Sequence, residues 1–268
     1  MSENQEPWFK DLLNNRKYRR LNLQEETLKD LILQVKKEGV LAKQVEKAVR
    51  LKLHNIVALY LETINYETAK IELEAMSDGD TPALCAFATR ILESHTSTAE
   101  RMACLSEFYQ AITVRLPQKE SLKILDLACG LNPFALPWMQ LPAGCTFFAY
   151  DLHGARIELL SVFFKKGNYP AQAFHADILV NVPQEPSDAV FFFKEAHRFE
   201  QRRKGSTREF LDQLNTPLIF LSLPAHNMTG KHDLRLKHTR IVEEAIAGTS
   251  WQMESEVIGK EMLFTIRK

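Results

Sequence analysis

The run Leu122-Lys123-Ile124-Leu125-Asp126-Leu127 passes directly into Ala128-Cys129-Gly130 and then Asn132-Pro133, and no other stretch of this 268-residue chain restricts its fold as much. A short apolar run bounded by turn residues reads as a strand buried on both faces. Gly130 allows the backbone to come close to a ligand. Asparagine caps a helix and proline suits its first turn, so the spacing predicts a helix opening at Asn132.

Downstream, short apolar runs alternate with helical patterns. Strands are expected at Leu122–Leu127, Thr146–Asp151, Ala171–Ala176, Ala189–Phe193 and Leu218–Leu223, followed by a closing pair, Trp251–Ile258 and Glu261–Arg267, joined at Gly259-Lys260. Five strands with crossovers predict an α/β, Rossmann-like, doubly wound and mostly parallel sheet, and the terminal hairpin adds an antiparallel edge to give seven strands. Ligands of such sheets sit at the carboxyl ends of the strands. The first hundred residues read instead as helical. Leu28, Leu31, Ile32 and Val35 recur at helical spacing, as do Val49, Leu53, Ile56, Val57 and Tyr60, with Gly39 between the two patterns and Gly79 and Pro82 marking a later turn. The expected division is a helical module over 1–90 and a sheet domain over 91–268.

Charge is balanced at 34 basic and 34 acidic residues, yet Trp8–Tyr60 holds twelve Lys/Arg against six Asp/Glu. What a polyanion meets is this local distribution, not the total. No apolar run approaches the roughly 20 residues of a membrane span, and the N-terminus lacks a signal-peptide core, which predicts a cytoplasmic protein. Cys85, Cys104, Cys129 and Cys145 show neither C-x-x-C nor zinc spacing, so reduced thiols and no metal are expected.

A dinucleotide site needs G-x-G-x-x-G to seat a pyrophosphate, whereas the turn after the first strand has one glycine. It suits a ligand without phosphates, and S-adenosyl-L-methionine is such a ligand. Asp126 is then expected at the cofactor's amino-acid end, where an ammonium and a sulfonium favour a carboxylate. Asp151 ends the second strand, where an acid accepts from ribose hydroxyls. Asp177 follows the third strand as a candidate acceptor for the adenine amine, with Ile178 packing on the ring. Ala128, Gly130, Asn132, Leu152 and Lys194 complete the expected cofactor set.

Further residues narrow the reading. His95-Thr96-Ser97-Thr98-Ala99-Glu100-Arg101, followed by Leu105 and Phe108-Tyr109, resembles an H-x-S-T-x-E-R segment. Asp126–Pro133 with Ala135-Leu136 is similar to D-x-G-C-G-x-N-P-x-A-L, and Tyr150-Asp151, Val190–Lys194 and Ser222-Leu223-Pro224 with Gly230-Lys231 match further motifs of the same group. These are the motifs of the aminoglycoside-resistance 16S rRNA (guanine-N7)-methyltransferases, the Arm/Rmt/Sgm group, which the chain resembles from about residue 90 to its C-terminus as a divergent member. The resemblance implies a class I S-adenosylmethionine methyltransferase fold and methylation of a guanine N7 in the decoding site, helix 44, of the assembled 30S subunit. It also implies Arg101 at the methionine carboxylate, rRNA docking by the basic N-terminal helices (Arg16, Lys17, Arg19, Arg20), and a monomer.

The chain departs from the group on the target side. Glu195-Ala196-His197-Arg198 replaces L-P, His226 stands where a basic residue is usual, and His232–His238 replaces G-M-x-x-x-Y. Two alternatives therefore stay open: a methyltransferase of the same fold acting on another RNA or a small molecule, and a non-catalytic cofactor- or RNA-binding relative. Guanine N7 carries an in-plane lone pair, so no general base is expected. Lys194 and Glu195 are expected to line the target side, and His197 and His226 receive no proton-transfer role. Lys194–Arg208 holds six Lys/Arg against two Glu. Of these, Arg198, Arg202, Arg203 and Lys204, with Lys231, Arg235 and Lys237 of a second cluster, are candidate phosphate contacts.

Overall fold

The computed structural model describes residues 8–15, 21–57, 64–227, 230 and 232–268. Seven strands form one sheet: β1 (Leu122–Leu127), β2 (Cys145–Asp151), β3 (Ala171–His175), β4 (Ala189–Phe193), β5 (Leu218–Pro224), β6 (Gln252–Ile258) and β7 (Glu261–Arg267). Their order is β3-β2-β1-β4-β5-β7-β6. The first five pair in parallel, while β7 runs antiparallel to both β5 and β6. The expected strands fall within a residue of those observed, although β3 and β6, the two edge strands, are not buried on both faces. β4, Ala-Val-Phe-Phe-Phe, is buried at every position.

Helices cover both faces. On one side lie α4 (Tyr66–Glu74), α5 (Thr81–Glu93), α7 (Leu105–Thr113), the single turn α8 (Leu136–Met139) and α9 (Gly154–Lys166). On the other lie α10 (Ala196–Arg202), α11 (Ser206–Gln213) and α12 (Arg235–Ile246). A short helix, α6 (Thr96–Met102), opens where the His95 imidazole accepts from the Ser97 N–H. The Asp80 carboxylate caps α5 by accepting from Ala83, with Pro82 in the first turn. No helix among the described residues is long and apolar enough to cross a membrane.

The N-terminal helices α1 (Phe9–Leu13), α2 (Glu25–Lys37) and α3 (Val45–Val57) enclose a core of their own, built on Leu12, Leu28, Leu31, Val35, Val49 and Leu53. Helices α4 and α5 do not belong to it. Ala69, Leu73, Leu84 and Phe87 bury into the same core as Ile124 and Phe147 of the sheet. The expected boundary at 90/91 therefore cuts through one core, and the change of core falls between Leu53 and Ala69. Helical periodicity marks which face is apolar but not what covers it, so two unlike sets of helices read as one. Of the N-terminal pattern, Tyr60 lies outside the described residues.

Trp8 packs on the N-terminal core, Trp138 on one side of the sheet and Trp251 on the other. Leu31 is wholly buried in the first of these cores. Leu31→Ala is expected to cost about 2–5 kcal/mol. Urea unfolding followed by Trp8 fluorescence, with Trp138 and Trp251 replaced by phenylalanine, should show that loss.

Candidate active site

A cleft crosses the carboxyl ends of β1 to β4, where the topology places ligands. It has two parts that meet at Ala128, Glu195 and Arg198, residues that line both. The loop after β1 forms the floor. There Ala128 and Gly130 both hold positive φ, at 52° and 54°, and Lys194 at the end of β4 holds 57°. Glycine accepts this region freely, while alanine and lysine in it each cost on the order of 1 kcal/mol. A Cβ added to Gly130 would meet nothing nearer than Arg156 Nη1 at 4.0 Å, so its positive φ and not crowding favours glycine there.

The first part is lined by Leu152, Asp177, Ile178, Phe199 and Arg202, together with Lys52, Asn55 and Ile56 of α3. Apolar surfaces beside one carboxylate suit a flat heterocycle carrying an amine. Asp177 is nevertheless already engaged: Arg202 Nη1 donates to both its oxygens at 3.0 and 2.9 Å, and Arg202 Nη2 reaches Asp30 of α2 at 2.8 Å. Burial disfavours the Arg202 charge, but Asp177 and Asp30 outweigh it and raise its pKa. Arg202 is therefore a buried clasp and not a phosphate contact on the surface, which corrects the expectation for that residue.

The second part is lined by Ser97, Arg101, Gly130, Asn132, Arg156, Phe193 and Lys194. Arg101, 4% exposed, donates from Nε and Nη2 to Glu261 at 3.1 and 2.6 Å and from Nη1 to Asn132 at 2.6 Å. Its guanidinium lies over the Phe108 ring at 4.0 Å. Lys194, expected at the cofactor and the target base, directs Nζ to Ser97 O at 2.8 Å and to Glu100 and Glu261 at 3.3 Å. Ser222 Oγ donates to the same Glu261 carboxylate. Burial would raise the Glu261 pKa, yet the adjacent Arg101 and Lys194 hold it below the usual value.

Asp126 and Asn132 differ from expectation. Asp126 lines neither part of the cleft. One of its oxygens accepts from Asn132 Nδ2 at 2.8 Å, the other has no partner, and burial pushes its pKa well up. Asn132 does not cap a helix. It is the first residue of the 3-10 turn Asn132–Ala135, and its amide is spent on Asp126, Arg101 and Tyr109.

Asp151 also lies beneath the cleft wall. It accepts from the N–H groups of Gly130 and His153 at 2.9 and 2.8 Å and from Arg156 Nη1 at 3.0 Å, and it and Arg156 are each 1% exposed. It thus ties the β1 loop to the β2 loop, and Leu152 is the neighbour that faces the cleft.

Other assignments separate cleanly. Glu195, its side chain 12% exposed, pairs with Arg198 at 2.9 Å. Burial raises the Glu195 pKa against the pull of Arg198. Arg198 belongs to the cleft, not to an outer basic face. His197 is held at a pKa of about 3, by burial first and by Arg198 next, and its ring lies 5.4 Å from that of His238. Phe192 is core, while Phe193 and Phe199 border the cleft. Arg203, Lys204, Arg235 and Lys237 are exposed, Arg203 paired with Glu209 and Arg235 with Asp233. Arg16, Lys17, Arg19, Arg20 and Lys231 lie outside the described residues.

Sequence reasoning missed Glu261, Tyr109, Arg156 and the α3 wall. One signal was available for Glu261: it is the lone acid in the otherwise apolar run Glu261-Met262-Leu263-Phe264. The donor set fits S-adenosylmethionine. An open glycine floor and three arginines suit the amino-acid carboxylate, and an apolar part with an acid suits adenosine.

The chain's sequence from 14 to 266 matches the family model described as "Ribosomal RNA methyltransferase (FmrO)". A 16S rRNA (guanine(1405)-N(7))-methyltransferase of Micromonospora echinospora is 30% identical over 226 residues, covering 83% of this chain and 82% of that one. A protein of the same name from Serratia marcescens is 28% identical over 230 residues, covering 84% of each. The fold matches that of the 16S rRNA methyltransferase RmtF, solved with S-adenosyl-L-homocysteine, at a TM-score of 0.80 and 24% identity, covering 100% of this chain and 99% of that one. It also matches the 16S rRNA methylase RmtB at 0.76 and 24% identity, covering 97% and 96%.

Removing Glu261 leaves two cations buried against each other. Glu261→Ala is therefore expected to cost about 3–5 kcal/mol in urea unfolding. Because the Glu261 pKa is depressed on folding, its stabilisation is present above the ordinary value of 4.5 and lost as pH falls below it. The deficit of Glu261→Ala relative to the parent chain should accordingly shrink as pH falls below 4.5.

Proposed function

The chain belongs to the FmrO ribosomal RNA methyltransferase family, and from that premise we propose that it methylates N7 of a guanine in 16S rRNA, in the helix 44 decoding site of the assembled 30S subunit. The methyl donor is S-adenosylmethionine, whose sulfonium supplies an electrophilic methyl carbon. The consequence for the cell is resistance to aminoglycosides that bind there. The protein acts as a cytoplasmic monomer without a metal.

The observation that carries this reading is the placement of Glu195. It stands at the end of β4 where the two parts of the cleft meet, so it faces whatever reacts there. A guanine N7 gives up no proton when methylated, so the site needs no general base. What the base acquires is positive charge. A carboxylate already in place, in a partly dehydrated site, stabilises that charge as it develops. Arg198 holds the Glu195 side chain in position through their 2.9 Å pair. The guanine must leave its stack to reach this point. Arg203, Lys204, Arg235 and Lys237, with the basic N-terminal helices, are then the phosphate contacts, and the module they serve with is the separate N-terminal core.

Purified protein, labelled S-adenosylmethionine and intact 30S subunits, followed by mapping of the modified base, test the assignment. Label on a guanine N7 in helix 44 is expected. Label on protein-free RNA alone overturns the intact-subunit reading, and label on another RNA redirects the substrate. Glu195→Gln should lower kcat about 100-fold, at the low end of the range for loss of one electrostatic contact to a transition state. Because the Glu195 pKa is raised, activity should fall on the acid side with a midpoint above 4.5, and the substitution should flatten that limb.

A further inference from the structure

The N-terminal core is separate from those of the sheet, but its contacts converge on one region. Gly154 N–H, just after the β2 loop, donates to Leu21 O at 2.9 Å. Gln24 Nε2 donates to His175 O at 2.6 Å, and its Oε1 accepts from the Asp177 N–H at 3.4 Å. Asp30 of α2 holds the far side of the Arg202 guanidinium, and Lys52, Asn55 and Ile56 of α3 line the first part of the cleft. Leu21 and Gln24 meet the segments that follow β2 and β3, and Asp30 meets α10, so the contacts gather at the expected adenosine end.

A purine has two apolar faces and a polar edge. Ile178 and Phe199 come from the sheet unit, and Ile56 adds apolar surface from α3. Asn55 brings both a donor and an acceptor to the same wall. Arg202 grips Asp177 with one nitrogen and Asp30 with the other, so the N-terminal unit shares in orienting a carboxylate that the Leu179 N–H also holds, at 3.1 Å. Oδ1 of Asp177 thus has two donors, while Oδ2 accepts from Arg202 alone and keeps a lone pair free for a further donor.

We propose that the N-terminal unit completes the adenosine pocket: Asn55 and Ile56 contact the adenine ring, and Arg202 is a positioning residue that aims Asp177 at the exocyclic amine while Asp30 anchors it. This rests on the reading that the cleft holds S-adenosylmethionine. Cofactor affinity then depends on how α2 and α3 dock. A partner that binds this unit differently in its docked and loosened states changes cofactor affinity, and the cofactor changes that partner's affinity by the same factor.

The test is calorimetry on the full chain with S-adenosylhomocysteine and with its 6-oxo analogue, in which the ring amine is replaced. The parent chain should bind the amine form more tightly than the oxo form. If it binds neither, the cofactor reading itself fails, separately from this proposal. Asn55→Ala is expected to weaken S-adenosylhomocysteine binding about five- to tenfold, the equivalent of one lost hydrogen bond. Asp30→Asn should bring the two affinities together, and Asp30→Glu should restore the preference, an outcome that a purely structural role of Asp30 does not produce. If Asp30→Asn fails to fold, Arg202→Lys provides the same readout. Parent-like affinity in Asn55→Ala removes the direct contact. A parent-like preference in Asp30→Asn or Arg202→Lys removes the anchor.

Discussion

The Glu261 carboxylate is the point through which three distant parts of the chain are held. It is 3% exposed and receives Arg101 from α6, Lys194 from the end of β4 and Ser222 from β5. A carboxylate taken this far out of water survives ionised only because two cations meet it, and each cation survives only because of the carboxylate. The arrangement is therefore one unit. Its placement follows from topology: β7 runs antiparallel to β5, which sets Glu261 opposite Pro224 at the carboxyl end of the sheet. A parallel last strand would have carried that residue to the other end. The antiparallel edge is thus what brings an anion to the cleft's cationic wall.

From that anchor the network continues into the cofactor loop. Arg101 holds Asn132, Tyr109 donates to the same amide oxygen at 2.6 Å, and Asn132 in turn holds Asp126. On the other flank, Asp151 fixes Gly130 and Arg156. The strained backbones of Ala128 and Lys194 sit between these two sets of contacts. Strain of this size persists only where the surroundings over-determine the conformation, and here hydrogen bonds from both sides do so. The result is a floor whose shape is set before any ligand arrives. Methyl transfer needs little else, since its rate depends on holding two atoms in line.

The sheet was legible because its signal is local. A strand buried on both faces is mostly apolar, and β4 and β5 read so along nearly their whole length, as β1 does apart from Lys123 and Asp126. The acids at 126, 151 and 177 were also legible as a register, since strand ends in a parallel sheet lie side by side. Their contacts were not. Asp126 and Asp151 both turn to protein partners, and those partners lie 6, 21 and 5 residues away in sequence. At such separations nothing in local spacing says which donor reaches which acceptor. Arg202 shows the limit most clearly. It shares a helix with other basic residues, as a solvated or phosphate-binding face would, yet its partner Asp30 lies 172 residues earlier. The helical N-terminus failed differently, since amphipathic faces look alike whichever core they join.

The basic cluster at 194–208 shows why composition misleads near a cleft. Lys194 and Arg202 point inward to carboxylates, Arg198 pairs with Glu195 at the cleft, and Arg208 is held by Asp212 and by the carbonyls of Ala245 and Ala247. Arg203 and Lys204 alone among the six are exposed. A run that reads as a phosphate-binding face is thus mostly internal structure, its charge already matched. Electrostatic attraction to RNA depends on charge that remains uncompensated at the surface. Trp8–Tyr60 holds twelve basic against six acidic residues, and there too Lys29, Arg50 and Lys52 are paired, with Glu25, Glu46 and Glu38. The same N-terminal unit meets the β2 and β3 loops through Leu21 and Gln24, and α10 through Asp30.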